Sequence, residues 1–348
     1  MKALSLPAVL ITDPANVFYF SGFTGCSGDG ILLITMDHLW ILTDSRYTLQ
    51  VEAQCQSYEI LGNSSADIVA IGTYLQRIGI DKIGFENDKI TYAFWHRFNV
   101  KYPHIVLCPL EDMLIRLRDI KDPEECRLIA KACDIAVDAL KETLPYIRSG
   151  ISEGDIALEL EYRLRKKGAS GTSFETIVAS GERSALPHGV ATNRILQKGD
   201  AVTVDFGAVY KGYCSDMTRT FFIGDPSDEL RKIYNAVYTS QMTAIQSFEP
   251  GMSSCELDQI ARNVLKQAGY GEYFVHSLGH GVGIEVHEGI TIGRKKPSLI
   301  QPGMVFSIEP GVYISGIGGV RIEDLVVCTE TGLLNLTAGF EKELAILE

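Results

Sequence analysis

Four acidic residues lie in segments that are otherwise apolar and typical of β-strands. They form two pairs, Asp205 with Asp216 and Glu309 with Glu323, and each pair occupies one candidate hairpin. Burying a bare carboxylate in such a strand is costly unless a cation compensates for it. A solvated strand residue would explain a single acid, but it explains poorly four that are related by an internal repeat. Two divalent cations would neutralise four carboxylates, so the pattern predicts a two-metal site.

The spacing of the acids indicates how each hairpin presents them. The two aspartates are symmetric about Tyr210–Lys211, with Gly212 supplying a turn or a bulge. Opposed residues in a hairpin share a face, with Cβ atoms ~5 Å apart. The two glutamates are joined by the glycine-rich turn SGIGG, so we expect the same arrangement there. Asp324 follows Glu323 directly and should point to the opposite face of its strand.

Histidines supply the candidate nitrogen ligand and candidate substrate contacts. His280 lies between two glycines, which suit a side chain that must approach another group closely. One histidine with four carboxylates makes an oxygen-rich site, which favours Mn²⁺, Co²⁺, Fe²⁺ or Zn²⁺ over a thiolate-bound metal. His188 and His287 fall near each other when the repeat is aligned, so we predict a pair that flanks the site. His276 either lines the pocket or has a structural role.

The elements that position these residues belong to a duplicated half of the chain. A shift of 101 residues places a capped amphipathic helix, from Gly150 to Gly168, over a second one from Gly251 to Gly269. A shift of 104 residues places LQKGDAVTVDFGAVY over IQPGMVFSIEPGVYI, and Asp205 then falls on Glu309. Chance explains poorly two matches in the same order. We therefore expect a duplicated α+β unit whose halves face each other.

A smaller α/β domain precedes this unit. The apolar runs AVLIT, GILLIT and LWILT predict strands, and the segment from Ile68 to Ile78 predicts a helix. A clear helix start follows in DPEECRLIAKACDIAVDAL, where Asp122 can cap the helix and Pro123 occupies its first turn. We place the domain boundary before this helix, which predicts domains at residues 1–118 and 119–348.

Composition argues against several classes of protein. The net charge of −12 argues against a nucleic-acid partner, and no apolar run reaches the ~18 residues of a membrane span. Eight cysteines without a C-x-x-C pair indicate reduced thiols. The N-terminal segment MKALSLPAVLITDP makes a poor signal peptide, because it has one lysine and its apolar stretch is broken by proline. These features predict a cytoplasmic protein.

Taken together, the motifs D-F-G-x₈-D, H-G-x-G, S-I-E-P-G and R-I-E-D resemble those of the dinuclear metallopeptidases of the pita-bread fold. The run ETIVASGERSALPHG looks like the proline-specific branch, which comprises aminopeptidase P and prolidase. The run LTDSRYTLQVEAQ resembles the creatinase-type N-terminal domain. The resemblance covers nearly the whole chain. It implies an α+β pita-bread catalytic domain preceded by a smaller α/β creatinase-type domain.

The resemblance also implies roles for individual residues. The implied metal ligands are Asp205, Asp216, His280, Glu309 and Glu323. Of these, Asp216 and Glu323 would bridge the two ions. His188 and His287 match histidines on the substrate side, and Arg321 matches an arginine that supports the site. On the sequence alone, Arg321 shares a strand face with Glu323 and could orient that carboxylate. Relatives with this first domain are commonly dimers, so the resemblance implies a homodimer.

The implied chemistry is metal-assisted hydrolysis of a peptide bond next to proline. Two ions, Mn²⁺ foremost, would lower the pKa of bound water and stabilise the oxyanion. Glu309 is the implied partner for the proton of the water, and His188 and His287 would assist the oxyanion and the leaving nitrogen. An Xaa-Pro bond has no N–H, so its recognition needs a dedicated pocket. Phe174 is either a wall of that pocket or an ordinary core residue.

The sequence departs from the family pattern at HEGITIGR. Many relatives have H-E-x-P there, often with an arginine nearby, but Ile290 and Thr291 occupy these positions and the basic residue is displaced to Arg294. A dipeptidase must pair the free carboxylate of its substrate with a cation. We therefore predict an Xaa-Pro aminopeptidase that acts on the N-terminus of peptides, with an Xaa-Pro dipeptidase (prolidase) as the close alternative. A metal-free creatinase-like hydrolase and a non-catalytic binding protein are distant alternatives. Neither needs a full set of metal ligands, and all five candidate ligands are present in this sequence.

Overall fold

The computed structural model describes residues 6–25, 28–62, 64 and 67–348. The chain divides into two compact units, Met1–Arg116 and Leu117–Glu348. Seven of the eight cysteines lie in the described part, and all seven are free thiols. Cys26 lies outside the described residues, as does the start of the segment that makes a poor signal peptide. Within the described ranges, no helix combines the length and the apolar character needed to cross a membrane.

The described part of the first unit contains a six-stranded sheet. Its elements are β1 (Ala8–Ile11), α1 (Pro14–Ser21), β2 (Ile31–Thr35), β3 (Leu39–Leu42), α2 (Thr48–Gln54), β4 (Glu59–Ile60), α3 (Ile68–Arg77), β5 (Lys82–Phe85), α4 (Tyr92–Lys101) and β6 (Val106–Pro109). The strand order is β4-β3-β2-β1-β5-β6. The β1–β2 and β2–β3 pairs are antiparallel and the other pairs are parallel. A further helix, α5 (Met113–Asp119), contains the boundary between the two units.

The strands predicted in this unit are confirmed, and their burial explains their unbroken apolar sequences. AVLIT, GILLIT and LWILT form β1, β2 and β3, and the predicted helix is α3. Within β1, Ala8 and Leu10 pack into one buried cluster, whereas Val9 and Ile11 pack into another. Successive side chains of a strand point to opposite faces, so both faces of this sheet are covered.

The second unit holds the predicted duplication. Its helices are α6 (Pro123–Thr143), α7 (Glu153–Lys166), α8 (Asp228–Ser247) and α9 (Ser254–Gln267), with short 3₁₀ helices at Leu144–Tyr146, Gly181–Ala185 and Gly271–Tyr273. Its strands are β7 (Gly171–Thr172), β8 (Ile177–Ser180), β9 (Ala201–Phe206), β10 (Ala208–Tyr210), β11 (Tyr213–Cys214), β12 (Met217–Ile223), β13 (Gly279–His280), β14 (Thr291–Ile292), β15 (Val305–Ile308), β16 (Gly311–Ile314), β17 (Gly318–Arg321), β18 (Asp324–Thr329), β19 (Gly332–Asn335) and β20 (Ala345–Leu347).

The two halves of this unit repeat one arrangement of helices and strands. The helix α7 begins at Glu153 and ends at Lys166, and α9 begins at Ser254 and ends at Gln267, so both bounds shift by 101 residues (254 − 153 and 267 − 166). Sheet β20-β12-β9-β8 in one half corresponds to sheet β15-β18-β19 in the other. The pairs β10–β11 and β16–β17 also correspond. The predicted duplicated α+β catalytic unit is therefore confirmed.

Helix capping and burial in the second unit follow the sequence pattern. The Asp122 side chain accepts hydrogen bonds from the Glu124 and Glu125 amides, and Glu125 bonds back to the Asp122 amide at 2.9 Å. The apolar residues along one face of α6 are buried, except Leu128, which is half-buried; the buried ones are Ile129, Ala132, Ile135, Ala136 and Leu140. Each half has its own buried cluster, one around α6 and α7 and one around α8 and α9. The strands that carry the predicted ligands are thus fixed by two separate cores.

Candidate metal centre and active site

The four predicted acidic ligands lie at corresponding breaks in the two halves. In each half a hairpin changes sheets midway, since β9 and β12 pair in one sheet and β10 and β11 in another. Asp205 lies one residue before the end of β9, and Asp216 lies in the two-residue break between β11 and β12. Glu309 follows β15 and Glu323 precedes β18, where the second hairpin divides in the same way. Each half therefore brings two acids to the point where its hairpin divides.

The register of the first hairpin differs from the sequence-based expectation. The turn falls at Lys211–Gly212, where both residues have positive φ (47° and 85°), as a two-residue hairpin turn requires. Asp205 opposes Thr218 in the β9–β12 pairing, and Asp216 lies two residues before Thr218. The predicted direct opposition of the two aspartates is wrong, because the turn lies further along the chain. They are diagonal neighbours, which still leaves both carboxylates close to one another.

His280 joins these acids from strand β13. Its Nε2 atom lies 3.3 Å from Glu309 Oε1 and 3.6 Å from Asp216 Oδ2. Its Nδ1 atom lies 3.2 Å from the Gly281 carbonyl oxygen, which can accept only if Nδ1 carries the proton. That tautomer leaves the Nε2 lone pair facing the acids. The ligand atoms of Asp216, His280 and Glu323 all lie within 4.8 Å of one another.

The donor atoms of this cluster fit divalent cations. Three buried carboxylate oxygens in it accept no hydrogen bond: Asp205 Oδ1, Asp216 Oδ1 and Glu323 Oε1. An unpaired buried polar atom costs ~1–3 kcal/mol, so proteins rarely leave several together. Unpaired carboxylate oxygens beside a histidine nitrogen are the donor set that a hard or borderline divalent cation prefers. The residues present therefore match the metal ions that the sequence predicts.

Burial, and then the neighbouring acids, raise the pKa values of three of these carboxyl groups. Burial, followed by Glu323 and Asp205, raises the pKa of Asp216 well above its ordinary value. Burial, followed by Glu309 and Asp205, does the same to the pKa of Glu323. Burial also raises the pKa of Glu309 to about 8, although the neighbouring Arg321 lowers it. Bound cations would reverse this effect, because they favour the ionised carboxylates.

Arg321 supports Asp205 directly and Glu323 only through a hydroxyl group. Its Nη2 donates to Asp205 Oδ2 at 2.6 Å, and its Nε donates to Thr218 Oγ1 at 3.1 Å. Thr218 Oγ1 in turn donates to Glu323 Oε2 at 2.7 Å. Arg321 therefore reaches across from β17 to bond Asp205 on β9, and its link to Glu323 passes through Thr218; that it orients Glu323 stays a prediction. These bonds occupy one oxygen of each acid and leave the other unpaired.

Tyr313 contacts the Arg321 guanidinium through a nitrogen other than the one that bonds Asp205, and His276 contacts Tyr313. Arg321 Nη1 donates to the Tyr313 hydroxyl at 2.8 Å, and that hydroxyl lies 2.9 Å from His276 Nε2. The Nδ1 atom of His276 lies 2.8 Å from the Ser277 carbonyl, so Nδ1 carries the proton and Nε2 accepts from Tyr313. Burial lowers the pKa of His276 to about 4, which keeps the ring neutral at neutral pH. Of the two alternatives for His276, these contacts favour the structural one.

His188 and His287 are both exposed and lie on loops of the catalytic unit. His188 follows the 3₁₀ helix Gly181–Ala185, and His287 lies between β13 and β14. The ring centroid of His287 lies 3.8 Å from that of the predicted ligand His280. Partial desolvation, followed by the nearby His188, lowers the pKa of His287. Two imidazoles beside the acidic cluster are therefore accessible to a substrate.

Two other residues singled out from the sequence lie in different surroundings. Phe174 is half-buried between β7 and β8, and its role as a pocket wall stays a prediction. Asp324 is buried in a separate network, where it accepts hydrogen bonds from Arg219 at 2.8 Å, Thr337 at 2.9 Å and Lys342 at 2.6 Å. Strand alternation had placed Asp324 on the face opposite Glu323, and this network agrees with that.

The glycines on either side of His280 serve the neighbouring backbone. A Cβ atom on Gly279 would lie 1.9 Å from the Ser307 carbonyl oxygen, and one on Gly281 would lie 2.1 Å from the Glu288 carbonyl oxygen. Real Cβ atoms do not approach so closely, so any side chain here would push the strands apart. The two glycines therefore let β13 lie against β15 and the following loop, which in turn places the imidazole.

Three supporting hydroxyl groups were not predicted from the sequence: those of Thr218, Ser307 and Tyr313. Ser307 Oγ donates to Glu309 Oε1 at 3.0 Å and accepts from the His280 amide at 3.1 Å. Thr218 follows a predicted ligand by two residues, and Ser307 precedes one by two. Residues two apart in a strand share a face, so this spacing could have identified both. The hydroxyl of Tyr313 had no such signal, because its partner Arg321 lies on another strand.

Comparisons with known proteins agree with this geometry. The profile of "Metallopeptidase family M24" matches residues 127–330, and that of "Creatinase/Prolidase N-terminal domain" matches residues 1–120. An Xaa-Pro dipeptidase of Pyrococcus furiosus is 38% identical over 337 residues, which are 97% of this chain and 95% of that protein.

Solved structures show the same likeness over the whole chain. An Xaa-Pro dipeptidase from Bacillus anthracis has a TM-score of 0.94 at 40% identity, covering 99% of this chain and 96% of that one. An X-Pro aminopeptidase from Thermotoga maritima has a TM-score of 0.91 at 37% identity, covering 99% of both chains. The M24 profile spans more than half of this sequence. The acids and the histidine that the fold brings together all lie inside that span. The chain belongs to metallopeptidase family M24 and carries a creatinase/prolidase-type N-terminal domain.

Proposed function

We propose that this protein is an Xaa-Pro dipeptidase that uses two divalent metal ions, with Mn²⁺ foremost. The supporting observation is its similarity, along almost the whole chain, to proteins named Xaa-Pro dipeptidase. The residues proposed to hold the ions are Asp205, Asp216, His280, Glu309 and Glu323. When bound, the ions supply Lewis-acid polarisation of the scissile carbonyl and activation of water near neutral pH.

The protein's own groups prepare this site for ligands and for proton transfer. Burial, and then the neighbouring His287, lowers the pKa of His280 to about 4, so its ring is neutral and can act as a ligand at neutral pH. Glu309 is held through Oε1 by Ser307 Oγ. We assign to the Glu309 carboxylate the acceptance of the proton lost by the attacking water. Arg321 holds Asp205 through a hydrogen bond to Oδ2 at 2.6 Å.

His188 and His287 act on the substrate in this proposal. Both imidazoles are exposed beside the acidic cluster, and the ring of His287 contacts that of His280 edge-on, with an interplanar angle of 61°. An imidazole N–H can donate to the oxygen on which charge develops, and can pass a proton to the departing proline nitrogen. That nitrogen must be protonated as the C–N bond breaks, because it would otherwise leave as an amide anion, which is a very poor leaving group.

An Xaa-Pro aminopeptidase is the second candidate, and the residues at HEGITIGR favour it. Ile290 is buried in the apolar core, so it cannot face a substrate. Thr291 pairs with His280 across β13 and β14 and lies beside the site, but it carries no charge. Arg294 is exposed beyond β14. The structure of the Thermotoga maritima X-Pro aminopeptidase is also similar along the full chain. On balance, the names of the relatives favour the dipeptidase.

A comparison of Ala-Pro with Ala-Pro-Ala tests the proposal. Metal-stripped protein should be inactive, and Mn²⁺ should restore hydrolysis. We expect kcat/KM to be higher for the dipeptide by at least about tenfold, which corresponds to about 1.4 kcal/mol. A preference for the tripeptide would establish the aminopeptidase instead. If Arg294 binds the substrate carboxylate, Arg294→Ala removes the dipeptide preference, whereas the adjacent exposed Lys295→Ala leaves it unchanged.

We also propose that the protein is a cytoplasmic homodimer, on the basis of its composition and its resemblance to dimeric relatives. Light scattering coupled to size exclusion should give twice the chain mass of 38.3 kDa. Cell fractionation should recover the activity with the cytoplasmic markers. A monomer mass, or activity in a secreted fraction, would contradict these two points without affecting the dipeptidase assignment.

A further inference from the structure

The loop that carries His287 is held by the residue that follows it. His287 is exposed, whereas the next residue, Glu288, is only 5% exposed. The backbone closes the base of this loop, because the Glu288 amide donates to the Gly281 carbonyl at 3.0 Å and the Gly281 amide donates to the Ile290 carbonyl at 2.6 Å. One residue of the loop therefore faces the site while its neighbour faces inward.

Two buried cations meet the Glu288 carboxylate. Arg118 and Lys121 are 2% and 5% exposed. Arg118 Nη2 pairs with Glu288 Oε2, and Lys121 Nζ lies 2.9 Å from Glu288 Oε1. The Glu285 amide also donates to Glu288 Oε2 at 3.1 Å. Each oxygen of Glu288 is thus paired with a buried cation, and such direct pairing offsets the cost of burying the charges.

The segment that supplies these cations also binds the loop backbone. Asp119 Oδ1 accepts a hydrogen bond from the Ile290 amide at 3.1 Å. Gly289 has a φ of +63°, and a Cβ atom there would lie 1.5 Å from Asp119 Oδ1. A Cβ atom on Gly283 would likewise lie 2.1 Å from Glu288 Oε1. Both glycines are therefore needed because the loop fits closely around these side chains.

The same segment is itself fixed to the strand framework. The Lys121 amide donates to the Gly303 carbonyl at 2.9 Å, and Ile120 forms a β-bridge with Met304 just before β15. Strand β15 leads directly to the predicted ligand Glu309. The support for the His287 loop and the support for this ligand therefore share one piece of backbone.

We propose that the segment Arg118–Lys121 clamps Glu288 and thereby positions His287 for catalysis. This inference rests on the proposed substrate role of His287. Glu288 is a positioning residue, since it is buried among protein groups and acts through its neighbour. The exposed His287 ring contacts His280 on one side. The orientation of the loop that carries His287 is set by the buried Glu288 carboxylate, which follows it in the chain. A displacement of ~1 Å in a substrate-positioning group can cost about 100-fold in rate.

A double-mutant cycle tests the proposal in the metal-loaded enzyme. Glu288→Gln keeps the shape of the side chain but removes its charge, and we expect kcat to fall about 10- to 100-fold while KM changes less. Metal content should match the wild type, because Glu288 is not among the proposed ligands. In a His287→Ala background, Glu288→Gln should cause no further loss of kcat, since its effect passes through the missing imidazole.

A spectroscopic readout follows the position of His287 itself. In protein loaded with Zn²⁺, which is diamagnetic, ¹⁵N-labelled histidine gives one set of signals per ring, and His287→Ala identifies the set that belongs to residue 287. Glu288→Gln should shift or broaden that set. The matched control is Glu86→Gln in the first unit, where a 3% exposed carboxylate accepts bonds from Thr12, Asp13 and Asn16. It should leave both the signals and kcat unchanged.

The outcomes separate this proposal from the proposed function. Unchanged His287 signals in Glu288→Gln would overturn the clamp, and so would losses of kcat that simply multiply in the double variant. Loss of metal from Glu288→Gln would also overturn it, because the effect would then pass through the ligands. Wild-type kcat in His287→Ala would instead refute the substrate role of His287, while the signals would still decide whether the clamp sets its position.

Discussion

At the scale of single residues, three of the candidate ligands are each oriented by a hydrogen bond from a neighbouring side chain. Asp205 is held through Oδ2 by Arg321, Glu323 through Oε2 by Thr218, and Glu309 through Oε1 by Ser307. In Asp205 and Glu323, the other oxygen is buried and unpaired. Supporting groups of this kind fix the direction of a ligand and so lower the cost of organising a metal site.

Metal binding should release protons, because the Glu309 carboxyl group of the metal-free protein has a pKa of about 8 and holds a proton at neutral pH. The pKa of Glu309 is raised to about 8, and those of Asp216 and Glu323 are raised well above their ordinary values. Cations bind the ionised forms, so the apparent metal affinity should increase as the pH rises towards about 8. Calorimetric titration with Mn²⁺ at pH 7, in two buffers of different ionisation enthalpy, counts the protons released. Identical heats in both buffers would contradict this prediction.

His188→Ala should slow the reaction without emptying the site. Loss of one acid–base or oxyanion contact typically costs 10²–10⁴-fold, so we expect kcat to fall by about 100-fold or more. Metal content by elemental analysis should stay at the wild-type value, because His188 is an exposed residue outside the ligand cluster. His104→Ala, which removes a histidine bonded to Gln76 in the first unit, is the matched control and should be neutral. A variant that loses metal would make His188 a ligand instead.

At the scale of elements, the site depends on two hairpins that divide between sheets. A continuous hairpin would carry its acids along one ladder, whereas these hairpins turn away and leave the acids at the junction. Close approach of backbones at these points needs glycine. A Cβ atom on Gly207 would lie 1.9 Å from the Ser215 carbonyl oxygen, and Gly279 meets the Ser307 carbonyl at the same distance. Backbone contact at these glycines thus sets the distances between ligands.

Gly279→Ala should therefore weaken metal binding as well as stability. The added methyl group must push β13 away from Ser307, and His280 would move with the strand. We expect a lower melting temperature and at least about tenfold weaker Mn²⁺ binding, since displaced ligands or their supports cost 10–100-fold in affinity. Gly154→Ala is the control, because its Cβ atom would make an ordinary 3.4 Å contact with the Thr192 carbonyl. Unchanged metal affinity in Gly279→Ala would refute this account.

At the scale of the whole molecule, replacing Asp216 should change the stability of the fold in opposite directions in the metal-free and the metal-loaded protein. Without metal, Asp216 is a buried acid with a raised pKa, so its ionisation opposes folding once the pH exceeds the ordinary carboxyl range. Asp216→Asn should then raise the melting temperature of metal-free protein at pH 8. With metal, the same variant should be less stable than the wild type, because it loses the stabilisation of about 2.7 kcal/mol that a ligand at 100 times its Kd provides.

Thermal unfolding of both proteins, with a chelator and with Mn²⁺, measures this crossover. Asp138→Asn, at an exposed position of α6, should behave like the wild type in both conditions. If Asp216→Asn destabilised the metal-free and the metal-loaded protein equally, Asp216 would be a structural residue. If Mn²⁺ stabilised the variant as much as the wild type, Asp216 would not be a ligand.

The sequence by itself determined the fold class and the duplication, and it identified the candidate metal ligands. Apolar runs, capping boxes and the repeat at shifts of 101 and 104 residues are local or periodic signals. They can be read from the sequence because the burial of each residue constrains its type at that position. The four acids stood out because carboxylates are costly in apolar strands. The order of preference between aminopeptidase and dipeptidase was also drawn from local residues. The named relatives favour the second of these, because a missing cation at one position does not describe a whole pocket.

Only the tertiary structure decided how the ligands are held. Arg321 reaches Asp205 across strands that are 116 residues apart in the chain, and Arg118 reaches Glu288 over 170 residues. The register of the first hairpin also depended on where Lys211–Gly212 could adopt positive φ within the sheet. Such contacts leave no periodic trace in the sequence, because they depend on the distance between elements rather than on spacing along the chain. The sequence therefore specified which groups are candidate ligands, and the packing of the two halves specified which of their oxygens accept no hydrogen bond.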